Sequence, residues 1–135
     1  MSQYRAGNRS KLGSLMRRFS FSQKEYFKVD LVKEYSCHRF AIIGEERTGF
    51  PPLGVFEAMA CGCIVIIDPT KYEGLDMLPG KNCLEMGLDI NESIDRAMSL
   101  SAQEIEQISN SARNFARQNW NSNTIATLWK ANLEL

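Results

Sequence analysis

What this chain lacks narrows its chemistry before any motif is read. There is one histidine, His38, in 135 residues, and no nucleophile elbow accompanies it, so Ser-His-Asp catalysis cannot be assembled. His38 precedes an apolar stretch and reads as a structural histidine rather than a base. The four cysteines, Cys37, Cys61, Cys63 and Cys83, contain no C-x-x-C. Cys61-Gly-Cys63 is a C-x-C with neither a second pair nor a histidine beside it. They read as small core residues with reduced thiols, and no metal site is expected. No apolar run reaches the roughly 18–20 residues that span a bilayer, and the N-terminus has no signal-peptide core, so a cytoplasmic location is expected. Net charge is missing as well, with 16 basic residues against 16 acidic ones. No whole-molecule field therefore draws the chain to nucleic acid or anionic lipid. The N-terminal stretch departs from this balance: Arg5, Arg9, Lys11, Arg17 and Arg18 stand there without an acid. A solvated helix face is favoured over a phosphate or membrane patch.

What is present suits one domain over residues 1–135 with a sizeable core. Leu12, Leu15, Met16 and Phe19 recur at helical spacing from about Arg9. Ser22 to Glu25 reads as a capping box opening a second helix that carries Tyr26, Phe27, Leu31, Val32 and Tyr35. "RFAIIG", residues 39–44, is a short strand. Pro51-Pro52 opens a helix that Gly62 closes as a left-handed cap. "CIVII", residues 63–67, is apolar at consecutive positions, which implies burial on both faces. A turn-rich loop follows Asp68, then a short apolar piece from Cys83 to Met86. Ser101 to Glu104 is another capping box, and Ile105, Ile108, Ala112, Phe115 and Ala116 stripe the helix behind it. Ile125, Leu128, Trp129 and Leu133 mark a terminal amphipathic helix, so the C-terminal helices fill about 101–133. Strands alternating with helices, one of them apolar throughout, predict an α/β fold: a Rossmann-like parallel sheet with helices on both faces.

In open α/β sheets, ligands bind where strand carboxyl ends meet the N-termini of following helices. The loop 45–52 has that place. Pro51 and Pro52 have no N–H, so Leu53 and Gly54 are the first helical donors an anion could meet, with Gly49 and Phe50 as loop donors. Gly54 also has no side chain to block a phosphate. Neither G-x-G-x-x-G nor the Walker G-K-[ST] is present, so the loop by itself is weak evidence for phosphate. Glu57 lies one turn further in, the lone charge in "GVFEAMACGC", residues 54–63. Read from its neighbours, it fits two roles equally: an ordinary helix-surface glutamate, or a carboxylate that accepts hydrogen bonds from a vicinal diol. Small, apolar Ala58, Met59, Ala60 and Cys61 mean a closely packed helix, which tips the reading slightly to the second. Asp68 fits either a ligand contact at a strand end or a cap on its own turn. Trp120 and Trp129 read as core or interdomain packing rather than base-stacking platforms.

"PPLGVFEAMACGCIVIID", residues 51–68, resembles the donor-site signature of the retaining GT-B glycosyltransferases of the group 1 type, and to a lesser degree that of the exostosin-like ones. "KNCLEM" (81–86) is similar to the family's strand after the variable loop, and "SARNFARQNWN" (111–121) to its closing helix. The likeness implies that Glu57 holds the nucleotide ribose, while Gly49, Phe50, Leu53 and Gly54 meet the diphosphate and sugar. In the retaining enzymes a second glutamate stands eight residues earlier; here that position is Gly49, with Glu45 and Glu46 nearby as substitutes. Arg9, with Arg5, is in the region that supplies a basic pair to the diphosphate. The likeness further implies a nucleotide-diphosphate-sugar donor with no cofactor. It covers only the second of the two Rossmann-like domains of a GT-B enzyme. The expectation is therefore a fragment, split-enzyme subunit or relic, inactive unless a missing N-terminal acceptor domain, a partner chain or a second copy completes it. The alternative is a non-catalytic interaction or regulatory module that keeps the fold.

Overall fold

The computed structural model describes residues 30–44 and 52–133. The first helix and the Ser22 capping box expected from the sequence lie outside them, as do Arg5, Arg9, Glu45, Glu46, Gly49 and Phe50. The elements run in the order α1 (Leu31–Ser36), β1 (Phe40–Ile42), α2 (Leu53–Ala60), β2 (Ile64–Ile67), a 3-10 turn (Pro69–Tyr72), β3 (Leu84–Glu85), α3 (Ile90–Met98), α4 (Ala102–Asn119) and α5 (Ser122–Leu133). Among the described residues the strands form one parallel sheet in the order β1-β2-β3. Phe40 pairs with Ile64 and Ile42 with Ile66, while Ile66 in turn pairs with Leu84. Parallel neighbours need a crossover, and α2 supplies it between β1 and β2. This is a Rossmann-like α/β arrangement, as the sequence pattern predicts.

β2 carries the core because it is apolar on both faces. Ile64, Val65, Ile66 and Ile67 are all buried, each contributing about 1.5–3 kcal/mol if fully removed from water. Val65 and Ile67, with Cys63 before them, join a cluster with Val55, Phe56, Ala58 and Met59 of α2 and Ala112 and Ala116 of α4. Ile64 and Ile66 alternate to the opposite face and are equally buried. Phe56 also stacks on Trp120, ring centroids 3.8 Å apart and planes 12° from parallel. That tryptophan is core packing, as its sequence context suggests. The side chains of Leu128, Trp129 and Leu133 lie outside the described residues.

Helix ends follow the local chemistry of the chain. At the C-terminus of α2, Gly62 takes φ +94°. Its N–H reaches the Met59 carbonyl at 2.9 Å, and the Cys63 N–H reaches the Ala58 carbonyl at 2.9 Å, which is a Schellman closure. Ser101 and Glu104 make the reciprocal capping box at the start of α4. Hydrogen bonds from Ser101 hold the Glu104 carboxyl below the usual carboxylate range. The loop before β3 is pinned by buried Asn82, which accepts from the Leu78 N–H at 2.8 Å and donates to the Asp76 carbonyl at 3.0 Å.

Three expectations need correction. α1 does not continue a helix from Ser22: Asp30 is in extended conformation and caps Leu31–Ser36, accepting from the Lys33 N–H at 3.1 Å. Its Val32 is solvent-exposed rather than part of an apolar face. Second, α3 is a helix where the sequence pattern marks none. Ile90–Met98 folds behind Asp89, buries Ser93, Ile94 and Ala97, and uses the Ser93 hydroxyl to accept from the Gly87 N–H at 2.8 Å. Third, Cys37 is exposed and Cys61 half-buried, so core burial holds for Cys63 and Cys83 alone among the four.

Candidate functional site

α2 packs by one side and leaves a stripe uncovered. Val55, Phe56, Ala58 and Met59 face the core, whereas Leu53 and Glu57, one turn apart, are exposed and Gly54 is half-buried between them. Pro52 stands at the N-cap, extended at φ −72° and ψ 145°, with no side-chain cap. Its carbonyl accepts from the Val55 N–H at 3.0 Å. The Leu53 and Gly54 N–H groups have no acceptor inside the helix, because their partners would precede it. The N-terminal turn of α2 thus presents backbone donors backed by the helix dipole.

That turn stands against the carboxyl end of β1. A Cβ built on Gly54 would lie 3.2 Å from the Tyr35 hydroxyl, 4.0 Å from Glu57 Oε2 and 4.0 Å from Cδ1 of Ile43, the residue after β1. Backbone donors, a carboxylate, a phenol and an aliphatic side chain therefore meet at one point. The sequence groups Leu53, Gly54 and Glu57, and the structure brings these three together. It also supplies Tyr35, which the sequence pattern assigns merely to an apolar helix face. The space a side chain at Gly54 would need is bordered by this hydroxyl. A phenol eight residues before Ile43 carries no spacing signal; α1 folding onto α2 makes the contact.

The carbonyls at the end of α1 are tied down by a buried thiol. Cys63 Sγ donates to the carbonyls of Tyr35 at 3.1 Å and His38 at 3.2 Å. Burial pushes this thiol up to about 11, with the charge at Cys61 adding to it, so it stays protonated and able to donate. The His38 Nε2, just beyond the end of α1, lies 3.7 Å from the Glu34 carboxylate on that helix. Asp68 is resolved in favour of the turn cap, its Oδ1 accepting from the Thr70 N–H at 3.0 Å and hydroxyl at 2.7 Å. Among the described residues no group of three His, Cys, Asp or Glu side chains could hold a metal ion, and no helix is long and apolar enough to cross a membrane.

The chain is thus a Rossmann-like α/β domain in which a helix N-terminus without a side-chain cap stands against the carboxyl end of a parallel strand. The sequence matches the glycosyl transferase-like family over residues 13–131. The chain belongs to that family, and its domain is of the group 1-like glycosyltransferase type. No curated protein matches it, and no solved structure does.

Proposed function

We propose that this chain is the donor-binding half of a glycosyltransferase of GT-B architecture, holding a nucleotide-diphosphate-sugar at the N-terminus of α2. The observation that carries this reading is Glu57 exposed on the same face of α2 as Gly54, one turn inside an uncapped helix start. The Leu53 and Gly54 N–H groups suit a diphosphate, because unpaired backbone donors and the helix dipole both favour an anion. Glu57 suits the adjacent ribose, whose diol it accepts hydrogen bonds from. Gly49 and Phe50, with Glu46 and Arg9, complete the proposed site from outside the described residues. The protein's part in transfer is to position the donor and stabilise the departing diphosphate. The acceptor comes to it on a second domain, a partner chain or another copy.

Glu57 provides the test. Two charged hydrogen bonds to a diol are worth roughly 1.5–3 kcal/mol each. With water replacing part of that, Glu57→Ala should weaken nucleoside diphosphate binding about 10–1000-fold. Glu57→Gln, which keeps one acceptor oxygen, should fall between. Because Glu57 is exposed, the melting temperature should stay near wild type. Calorimetric titration with unchanged affinity and a lowered melting temperature would instead make Glu57 a structural residue. A second reading, a non-catalytic module retaining the fold, is favoured by Gly49 standing where the retaining enzymes carry a sugar-contacting glutamate. It predicts nucleotide binding without transfer even when an acceptor domain is supplied.

A further inference from the structure

We propose that the outer edge of β1 is a docking surface for a second copy of this chain, the two β1 strands pairing antiparallel about a two-fold axis at Ile42. The described sheet has two edges, and they are built differently. At β3 the edge is two residues long, carries exposed Glu85 and follows a bridge between Pro79 and Cys83. Short length and an edge charge discourage further strand pairing. β1 has neither safeguard. Phe40, Ala41, Ile42 and Ile43 are apolar at consecutive positions, the pattern of a strand enclosed in a parallel sheet. β2 has the same pattern and is buried throughout, whereas all of β1 is half-buried. Among the described residues, β1 has β2 on one side and no strand on the other.

The ladder to β2 decides which main-chain groups face outwards. The Arg39 carbonyl accepts from the Ile64 N–H at 2.9 Å, and Phe40 lies opposite Ile64. Main-chain groups alternate sides along a strand, so Arg39, Ala41 and Ile43 serve β2. Phe40, Ile42 and, by the same alternation, Gly44 offer theirs to the open edge. An antiparallel partner must set such residues opposite one another. Two registers do this while keeping the apolar residues together, one centred on Ala41 and one on Ile42. Counted along the sequence, the first sets Arg39 against Ile43. The second sets Ile42 against its own copy, Phe40 against Gly44, Arg39 against Glu45 and His38 against Glu46. "HRFAIIGEE", residues 38–46, is therefore self-complementary: basic at its start, apolar in its middle, acidic at its end. Opposite charges facing across strands stabilise a pair, and like charges oppose it. His38 and Arg39 are both exposed. Ala41 falls against Ile43 in this register, and both already pack on the core cluster, so that apolar layer continues from one copy into the next. A two-fold axis repeats every contact, the commonest symmetry among homo-oligomers. The charge pattern thus names the partner as a strand of the same sequence.

Sedimentation equilibrium of the full chain tests this with wild type, Arg39→Glu, Glu45→Arg and the double variant, each checked for folding by thermal melting. Wild type should dimerise. Either single reversal puts like charges together at both ends of the pair and should raise the dimer dissociation constant about 5–100-fold. The double variant, and an equal mixture of the two single variants, restore opposite charges and should associate close to wild type. High salt should narrow the gap between wild type and the single variants. A wild type that stays monomeric overturns the proposal and leaves the edge to another segment or another protein. A dimer indifferent to the single reversals, or one that neither the double variant nor the mixture restores, overturns it equally. Should Arg39→Glu fail to fold, Arg39→Gln removes the charge without reversing it. It should weaken the dimer less than Glu45→Arg does, and wild-type association in both would again refute the pairing.

Discussion

Cys63 and Cys83 have no exposed surface, and burial pushes their thiols from an ordinary 9.0 up to about 11 and about 12. Neighbouring charge, at Cys61 for the first and Glu85 for the second, adds to the effect. The consequence for stability has a definite sign. Above pH 9 the unfolded chain releases these protons while the folded chain keeps them, so the unfolded state is favoured as pH rises. Their stabilising contribution is complete below pH 9 and is lost progressively towards pH 11 and 12. The melting temperature should fall through that window, and Cys83→Ala should make the fall shallower. An equally steep fall in the variant would remove Cys83 as a cause. Iodoacetamide at neutral pH should label exposed Cys37 first and reach Cys63 and Cys83 only on unfolding, which peptide mass spectrometry can follow.

Among the elements, α2 depends most on a single residue beyond its end. Gly62 adopts φ +94° beneath the Arg113 guanidinium of α4, and the Ser109 hydroxyl donates to its carbonyl at 2.7 Å. The glycine thus ends one helix and docks another. Gly62→Ala imposes a left-handed conformation costing about 1–2 kcal/mol and also displaces Arg113. We expect about 1–3 kcal/mol in all, a loss of roughly 3–10 °C in melting temperature. Gly74 provides the control, since it has φ +78° but nothing within 4 Å of where an added Cβ would stand. Gly74→Ala should therefore destabilise less. Equal losses in the two variants, measured by thermal unfolding, would mean that Arg113 gives way without penalty.

At the scale of the whole molecule, the proposed site is bordered by apolar side chains in water. Leu53 at the start of α2 is 67% exposed and Val32 on the neighbouring α1 is 66% exposed. Exposed apolar surface beside a binding site is commonly covered by a partner. On the proposed reading, the purified chain should self-associate or bind a partner chain, and should transfer no sugar by itself. Light scattering and a transfer assay test the two halves together. A monodisperse monomer with ordinary turnover would contradict both, and Val32→Ser, which lies outside the proposed site, should reduce association without changing diphosphate affinity.

The local features of this fold were legible because each is written in a few adjacent residues. Continuous apolarity over Ile64–Ile67 specifies a strand buried on both faces, proline and glycine bracket α2, and Ser101 with Glu104 opens α4. Glu57 also stood out, as one charge among small and apolar residues. Other features escaped. α3 is short and mostly polar, and its Ile90, Ile94 and Ala97 spacing behind Asp89 was the available signal. Its buried Ser93 gains a reason only when Gly87 is seen to need an acceptor. Asp30 is one acid among many until its carboxylate is found on the Lys33 N–H. Periodicity, caps and turns act over a few residues, so the sequence by itself determined which segments coil, extend and stop. The meeting of Tyr35 with Gly54 and Glu57, and the anchoring of Tyr35 by a thiol 28 residues away, were decided by tertiary structure. Only packing α1, α2 and β2 together turns those separations into distances of a few ångströms.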